Sequence, residues 1–211
     1  MKEYPYPLFR GLSEEEINAL VTGPHISERT FLKNTYVFQQ GDEPASIYIL
    51  LEGAVQVEAL DESGRRTILN RFTEPGTMFA EVYAYLEPKT YGYGCLATQD
   101  TLALCIRKEL LMEDSCDPAV RKMLFNMLGI LSGKAYTLNQ KIRIIMEPTL
   151  RQKILQYLRI NANTQRTVHL SFNREDLADY LGTTRPSVSR ELRNMEQDGL
   201  IVIEKNRIRI V

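Results

Sequence analysis

Between residues 30 and 107 apolar positions alternate with polar ones in short runs: Tyr36-Val37-Phe38, Ile47 to Leu51, Ala54 to Leu60, Thr67 to Phe72 and Thr101 to Ile106. Turn formers separate them at Gly41-Asp42, Glu52-Gly53, Asp61 to Gly64 and Pro75-Gly76. Period-2 runs between such breaks predict half-buried strands, and many short strands at regular spacing predict a β-sandwich or β-roll. Ahead of them, Ser13-Glu14-Glu15-Glu16 is a capping-box pattern that opens a short amphipathic helix through Ile17, Leu20 and Val21.

After residue 117 the period lengthens. Val120, Leu124, Met127, Leu131, Lys134, Leu138, Lys141 and Ile145 follow a 4-3 spacing, and a shift by one residue recruits Ala135 and Ile142, so an apolar stripe drifts around one long helix. At 1.5 Å per residue such a helix is about 43 Å long, more than a compact domain of this size needs. Two readings stand side by side: a helix packed on its own β-domain, and a seam that pairs in parallel with a second copy. Glu147-Pro148 stops it, because the residue before proline avoids the helical region, and this is the expected hinge.

Beyond the hinge, Thr149 is placed to cap a helix carrying Ile154, Leu155 and Leu158, and Val168-His169-Leu170 reads as a short strand. Asn173 then caps a helix with Leu177 and Leu181 inward, which Gly182 closes in the left-handed conformation. A second helix restarts at Thr183-Thr184 with Val188, Leu192 and Met195 inward, and Asp198-Gly199 ends it. Leu200 to Glu204 and Arg207 to Val211 flank a turn at Lys205-Asn206. Helix, short turn, helix, hairpin is a winged helix-turn-helix.

Composition narrows the function. The 211 residues suffice for one large domain or two small ones, no run approaches the roughly 20 apolar residues of a membrane span, and the cytoplasm is the expected location. The net charge of −1 hides an asymmetry, since residues 148–211 carry +4 and the remainder −5, so the last third suits an acidic partner. Cys95, Cys105 and Cys116 fit neither a disulfide framework nor a close-spaced metal set.

A helix-turn-helix reads DNA by laying its second helix in the major groove. With Val188, Leu192 and Met195 inward, Arg185, Pro186, Ser189, Arg190 and Arg193 face outward, and Thr184 and Ser187 complete the candidate DNA-binding set. Arginine pairs bidentately with guanine, and serine bonds base or phosphate. A solvated arginine face is the plainer alternative; the two-helix spacing, the glycine turn and the terminal hairpin together favour DNA.

Three segments carry a resemblance to the CRP/FNR family of catabolite-activator and fumarate-nitrate regulator relatives. They are Gly41-Asp42 to Gly53-Ala54-Val55, Pro75-Gly76-Thr77-Met78-Phe79-Ala80-Glu81, and Thr184-Arg185-Pro186-Ser187-Val188-Ser189-Arg190-Glu191-Leu192. The last is the most specific. The resemblance implies an α+β chain with an N-terminal double-stranded, jelly-roll-like β-roll that binds an effector (1–117), a long dimerisation helix and hinge (118–147) and a C-terminal winged helix-turn-helix (148–211). It further implies a homodimer on palindromic double-stranded DNA and contact with RNA polymerase.

The chain also departs from that pattern. Cyclic-AMP binders of the family continue from the glutamate of the cassette, here Glu81, to an Arg-Ser pair that holds the cyclic phosphate, and Tyr91 and Gly92 stand there instead. Without the guanidinium the phosphate loses its charge-assisted bonds, so the expected effector is one other than cyclic AMP. Lys89, Arg65 and Arg71 are the other cations at hand, with surface solvation as their plainer role. Tyr83, Tyr91 and Tyr93 with Glu81 either line an effector pocket or pack the roll, and Ser132, Tyr136 and Thr137 of the long helix face the same expected site. Iron–sulfur members carry cysteines near the N-terminus, but none here precedes Cys95; the only histidines are His25 and His169, which disfavours haem. Pro186 occupies the position where the family commonly has a cytosine-reading glutamate, so the operator should differ at that base pair. Residues 30–107 lack the paired histidines of a metal-bearing cupin, and no nucleophile elbow or phosphate loop occurs, so no enzyme is expected. The competing readings are a ligand-binding module without specific DNA binding and a thiol-based redox sensor with Cys116 as the exposed thiol.

Overall fold

A computed structural model describes residues 5–61, 65–86, 90–112, 117–169, 174–204 and 207–211. Lys89, Cys116, Asn173 and the Lys205-Asn206 turn lie outside the described residues. The chain forms two compact units, residues 1–130 and 131–211.

The first unit begins with a 3-10 turn at Pro7–Phe9 and α1 (Glu14–Thr22). Both halves of the capping box are present, since the Glu16 amide donates to Ser13 Oγ and the Ser13 amide to the Glu16 carboxylate. The strands are β1 (Ile26–Phe31), β2 (Tyr36–Phe38), β3 (Ser46–Glu52), β4 (Val55–Leu60), β5 (Arg66–Phe72), β6 (Met78–Phe79), β7 (Gly94–Ala97) and β8 (Thr101–Arg107). Two four-stranded antiparallel sheets result, in the orders β1-β8-β3-β6 and β2-β7-β4-β5. Phe38, Val55, Val57 and Cys95 from one sheet meet Tyr48, Leu50, Phe79 and Cys105 from the other in a single buried cluster, which is the expected β-roll. Short helices α2 (Val82–Tyr85) and α3 (Glu109–Met112) follow β6 and β8.

Gly53 shows how tightly the roll closes. Its φ of +90° is open to glycine, and a Cβ there would lie 2.4 Å from the Asp100 carbonyl oxygen and 2.8 Å from Thr101 Cα. Left-handed backbone alone costs an ordinary residue about 1–2 kcal/mol, and here backbone blocks the side chain as well. Gly53→Ala is therefore expected to destabilise the roll by at least about 2 kcal/mol, or about 4 to 8 °C in Tm for a chain of this length, measured by calorimetry.

Helix α4 (Pro118–Ile145) spans 28 residues. Its first turns bury Ala119, Val120, Met123 and Met127, and its Asn126 side chain donates to the carbonyls of Leu8 and Arg10. The exposed apolar face runs in a different register from the buried one. Leu124, Leu128, Leu131, Ala135, Leu138, Ile142 and Ile145 keep a strict 4-3 spacing; Leu128 and Leu138 are 63% and 59% exposed. The two readings of the stripe thus apply to two faces of one helix.

The second unit continues with α5 (Leu150–Asn161), β9 (Thr167–His169), α6 (Arg174–Leu181), α7 (Arg185–Gln197), β10 (Ile201–Glu204) and β11 (Arg207–Ile210), with sheet order β10-β11-β9. Thr149 caps α5 by accepting from the Gln152 amide. The core joins Ile154, Leu158, Leu177, Leu181, Val188, Leu192, Met195, Ile201 and Ile208, and Ile144 of α4 is part of it. Among the described residues no helix is long and apolar enough to cross a membrane.

Candidate nucleic-acid interface

Helix α6 ends at Gly182, whose φ of +66° lets the chain reverse; the Thr183 amide then returns to the Ala178 carbonyl. Thr184 begins α7 with extended backbone (φ −107°, ψ 149°), and its hydroxyl pairs with Ser187 Oγ at 2.9 Å. Pro186 sits in the first turn, where a missing amide hydrogen costs no intrahelical bond.

Burial fixes the helix's rotation. Val188, Leu192 and Met195 are at most 1% exposed, so the opposite side faces solvent. Arg185, Arg190 and Arg193 are exposed and Ser187 and Ser189 half-exposed, with Thr184 exposed at the helix start. All six candidates therefore belong to one helix and its cap. Two contacts hold that helix. Arg151 of α5 donates from Nε to Glu191 at 2.5 Å and from Nη1 to Asp198 at 2.6 Å, and the Ile203 amide of β10 donates to Glu196 at 2.9 Å. Arg185 itself lies 3.9 Å from Glu175 of α6. That pair is largely exposed and worth little to stability, so Arg185 is available to another anion.

Arg174, which sequence reasoning passed over, opens α6. Its Nη1 is buried without a hydrogen-bond partner among the described residues, and burial lowers its pKa from the ordinary value. A cation at a helix N-terminus also opposes the helix dipole. The local signal was its place at the head of the first of the two paired helices.

In the first unit, Glu81 is buried just before α2 and Tyr91 is buried, with Tyr83 and Tyr93 half-buried. Tyr91 stacks on Phe38 at 3.9 Å between centroids, Tyr83 meets Tyr91 and Tyr93 edge-on at 4.9 and 5.3 Å, and the Gly92 amide donates to the Tyr83 hydroxyl at 3.0 Å. Burial raises the phenol pKa values of Tyr91 and Tyr93, so both stay neutral. The structure thus brings the tyrosines together in one packed cluster. Ser132, Tyr136 and Thr137 are exposed on α4, in the second unit. Arg71 donates to Gln56 and Arg65 pairs with Asp61. Cys95 and Cys105 are buried in the roll, and burial pushes their thiols up to about 12 and about 11, which keeps them protonated and poorly nucleophilic at neutral pH.

A double-sheeted sensor-type roll followed by a winged helix-turn-helix defines a ligand-responsive DNA-binding protein by architecture. Family models match accordingly: the cyclic nucleotide-binding domain over residues 28–113 and the Crp-like helix-turn-helix domain over residues 152–211. The chain belongs to the CRP/FNR family of DNA-binding transcriptional regulators. It is 25% identical over 186 residues to the transcriptional regulator LdrP of Thermus thermophilus, covering 85% of this chain and 90% of that protein. It is 26% identical over 196 residues to the transcriptional activator FnrL of Cereibacter sphaeroides, covering 87% and 75%. Among solved structures, the c-di-GMP-responsive regulator CLP of Xanthomonas campestris matches with a TM-score of 0.58 at 19% identity over 94% of this chain and 99% of that one. The Thermus thermophilus catabolite activator protein matches at 0.52 and 20% identity over 97% and 93%.

Proposed function

We propose that the protein is a homodimer that reads a palindromic operator with two copies of α7, under the control of an effector other than cyclic AMP. The observation that carries this reading is the pairing of two exposed faces: the arginine–serine face of α7 and the apolar 4-3 stripe of α4. Monomeric proteins rarely leave so many large apolar side chains in one solvent-facing row. Paired in parallel along α4, two chains present their α7 helices to half-sites one turn of DNA apart, about 34 Å.

Arg185, Ser189 and Arg190 reach base edges, while Thr184, Ser187 and Arg193 position the helix on the backbone. Pro186 has no acceptor, so the operator lacks the family's usual requirement at that base pair. Arg174 is the natural phosphate contact: its charge is held half out of water at the head of α6 and an incoming phosphate would satisfy it. Arg174→Ala is expected to weaken binding to all duplexes alike and to lower the slope of log K against log salt by about 0.9, measured by anisotropy titrations at several salt concentrations.

The tyrosine cluster supports an effector without a cyclic phosphate, since Tyr91 is neutral and turned into the ring stack. Glu81, Tyr83, Tyr91 and Tyr93 are its proposed ligands in the roll, with Ser132, Tyr136 and Thr137 on α4. Effector binding acts by favouring one orientation of the DNA-binding units, and the regulator contacts RNA polymerase in the cytoplasm.

The test is selection of bound duplexes from a random DNA library with purified protein, run in parallel under reducing and air-oxidised conditions. Recovery of a palindrome with half-sites about one turn apart supports the reading. Enrichment of single half-sites overturns the dimer, and a strong demand for the family's usual base pair opposite Pro186 overturns the operator assignment. Dependence on reduction points instead to the thiols.

A further inference from the structure

Strand β4 carries two polar residues where a strand on a sheet face normally leaves them wet. Val55 and Val57 point into the roll, so alternation turns Gln56 and Glu58 to the outer face of the β2-β7-β4-β5 sheet. Both are nevertheless buried, at 4% and 2% exposure. Neighbouring strands supply the cover. Tyr36 of β2 donates its hydroxyl to Glu58 Oε1 at 2.7 Å, Gln56 Nε2 donates to Oε2 at 2.8 Å, and Arg66 of β5 stands 3.5 Å from Oε2 with its side chain still 55% exposed. Arg71 of β5 fastens Gln56 in turn, donating to its Oε1 at 3.0 Å.

Gly94 makes this arrangement possible. It lies opposite Glu58 across the β4–β7 ladder, and a Cβ there would meet Tyr36 Cε1 at 3.1 Å and the Gln40 amide nitrogen at 3.4 Å. Absence of that carbon lets the phenol lie across β7 with its hydroxyl on the carboxylate. Beside the pair is a cleft of about 90 Å³ lined by Tyr36, Gln39, Gln40, Glu58, Leu60 and Gly94. Gln40 is pinned as its wall, because its side-chain amide pairs with both the amide and the carbonyl of Leu60.

A carboxylate has about four lone-pair sites, and the three contacts named leave Oε1 with capacity for one more donor. The open side of Oε1 gives onto an aromatic ring and a volume several times the roughly 30 Å³ of one water molecule. Buried anion, flanking π-face and a narrow, partly apolar cleft together are the chemistry that recognises an alkylammonium ion.

We propose that this cleft binds the ammonium end of a small diffusible primary amine, with Glu58 as its charge partner and the Tyr36 ring at its flank. The raised pKa of Tyr36, caused first by its hydrogen bond to Glu58, accords with a phenol that keeps its proton and leaves the negative charge on the carboxylate. The site stands on the outer face of the roll, and it depends neither on the tyrosine cluster nor on the DNA-binding reading.

Isothermal titration of the full chain with n-butylamine, putrescine and the uncharged n-butanol tests it. Saturable heat is expected from the two amines and none from the alcohol. Glu58→Gln should weaken amine binding at least tenfold; because that change also removes a buried ionic contact, its fold is checked by circular dichroism. Gly94→Ala keeps the charge and fills the cleft with a methyl group, so it should weaken the amines comparably. Absence of saturable heat with the unaltered protein overturns the site, as does equal binding of butanol or undiminished binding by both variants. Tighter binding of Nα-acetyl-lysine methylamide than of butylamine also overturns it, by moving the ammonium group to a lysine of a partner protein.

Discussion

Replacing Leu138 and Ile142 together by aspartate is expected to turn a dimer into a folded monomer and to cut its affinity for a palindromic operator by about 100-fold or more. Both side chains are exposed on α4, at 59% and 44%, and both lie in the 4-3 row that runs from Leu124 to Ile145. They are absent from the core of the second unit, so aspartate there removes no packing from the single chain. In a parallel pair the same positions repeat across the seam, and each substitution sets like charges against each other in an apolar interface. The loss in DNA binding follows from geometry. Two recognition helices on one body make the second half-site an intramolecular event, and a monomer forfeits that gain without losing a single base contact. Analytical ultracentrifugation and anisotropy titration read the two effects, with an unchanged circular-dichroism spectrum as control. A variant that stays dimeric would place the seam on another face.

Arg190→Ala is expected to abolish discrimination between operator and random DNA while leaving random binding reduced only a few-fold. One bidentate arginine–guanine pair contributes about 1–3 kcal/mol of discrimination, and a dimer loses it twice, about 2–6 kcal/mol in all. Arg190 is exposed on the side of α7 opposite Val188 and Leu192, both buried, so truncation spares the fold. Glu191, by contrast, is committed to Arg151 at 2.5 Å and its removal should loosen the helix rather than alter the sequence read. Equal loss on operator and random duplex would reduce Arg190 to a phosphate contact.

The recognition helix was legible because its chemistry follows the helical period: three buried positions define the rotation, and the arginines take what is left. The strands with alternating apolar residues were legible for the same reason. Three others were not. β1 reads Ile-Ser-Glu-Arg-Thr-Phe and buries only Ile26, β6 is two residues long, and β7 opens on Gly94, so none shows the expected alternation. Glu58 was illegible for a deeper reason. A glutamate at an alternate strand position signals a wet face, and only the placement of Tyr36 and Arg66 from other strands makes it a buried anion. The register of the exposed stripe on α4 was similarly ambiguous, since the 4-3 count tolerated a one-residue shift until Met123 and Met127 were seen to turn inward.

Ile144 carries a practical consequence for transplantation. It is fully buried in the core built from α5, α6, α7 and the hairpin, although Pro148 looks like the natural place to cut. A graft of residues 148–211 onto a foreign dimerising scaffold would arrive with an unfilled socket, the equivalent of a large-to-small core substitution costing about 2–5 kcal/mol. The portable DNA reader therefore includes the last turns of α4, and a chimera joined upstream of Ile144 should keep its fold where one joined at Pro148 would not.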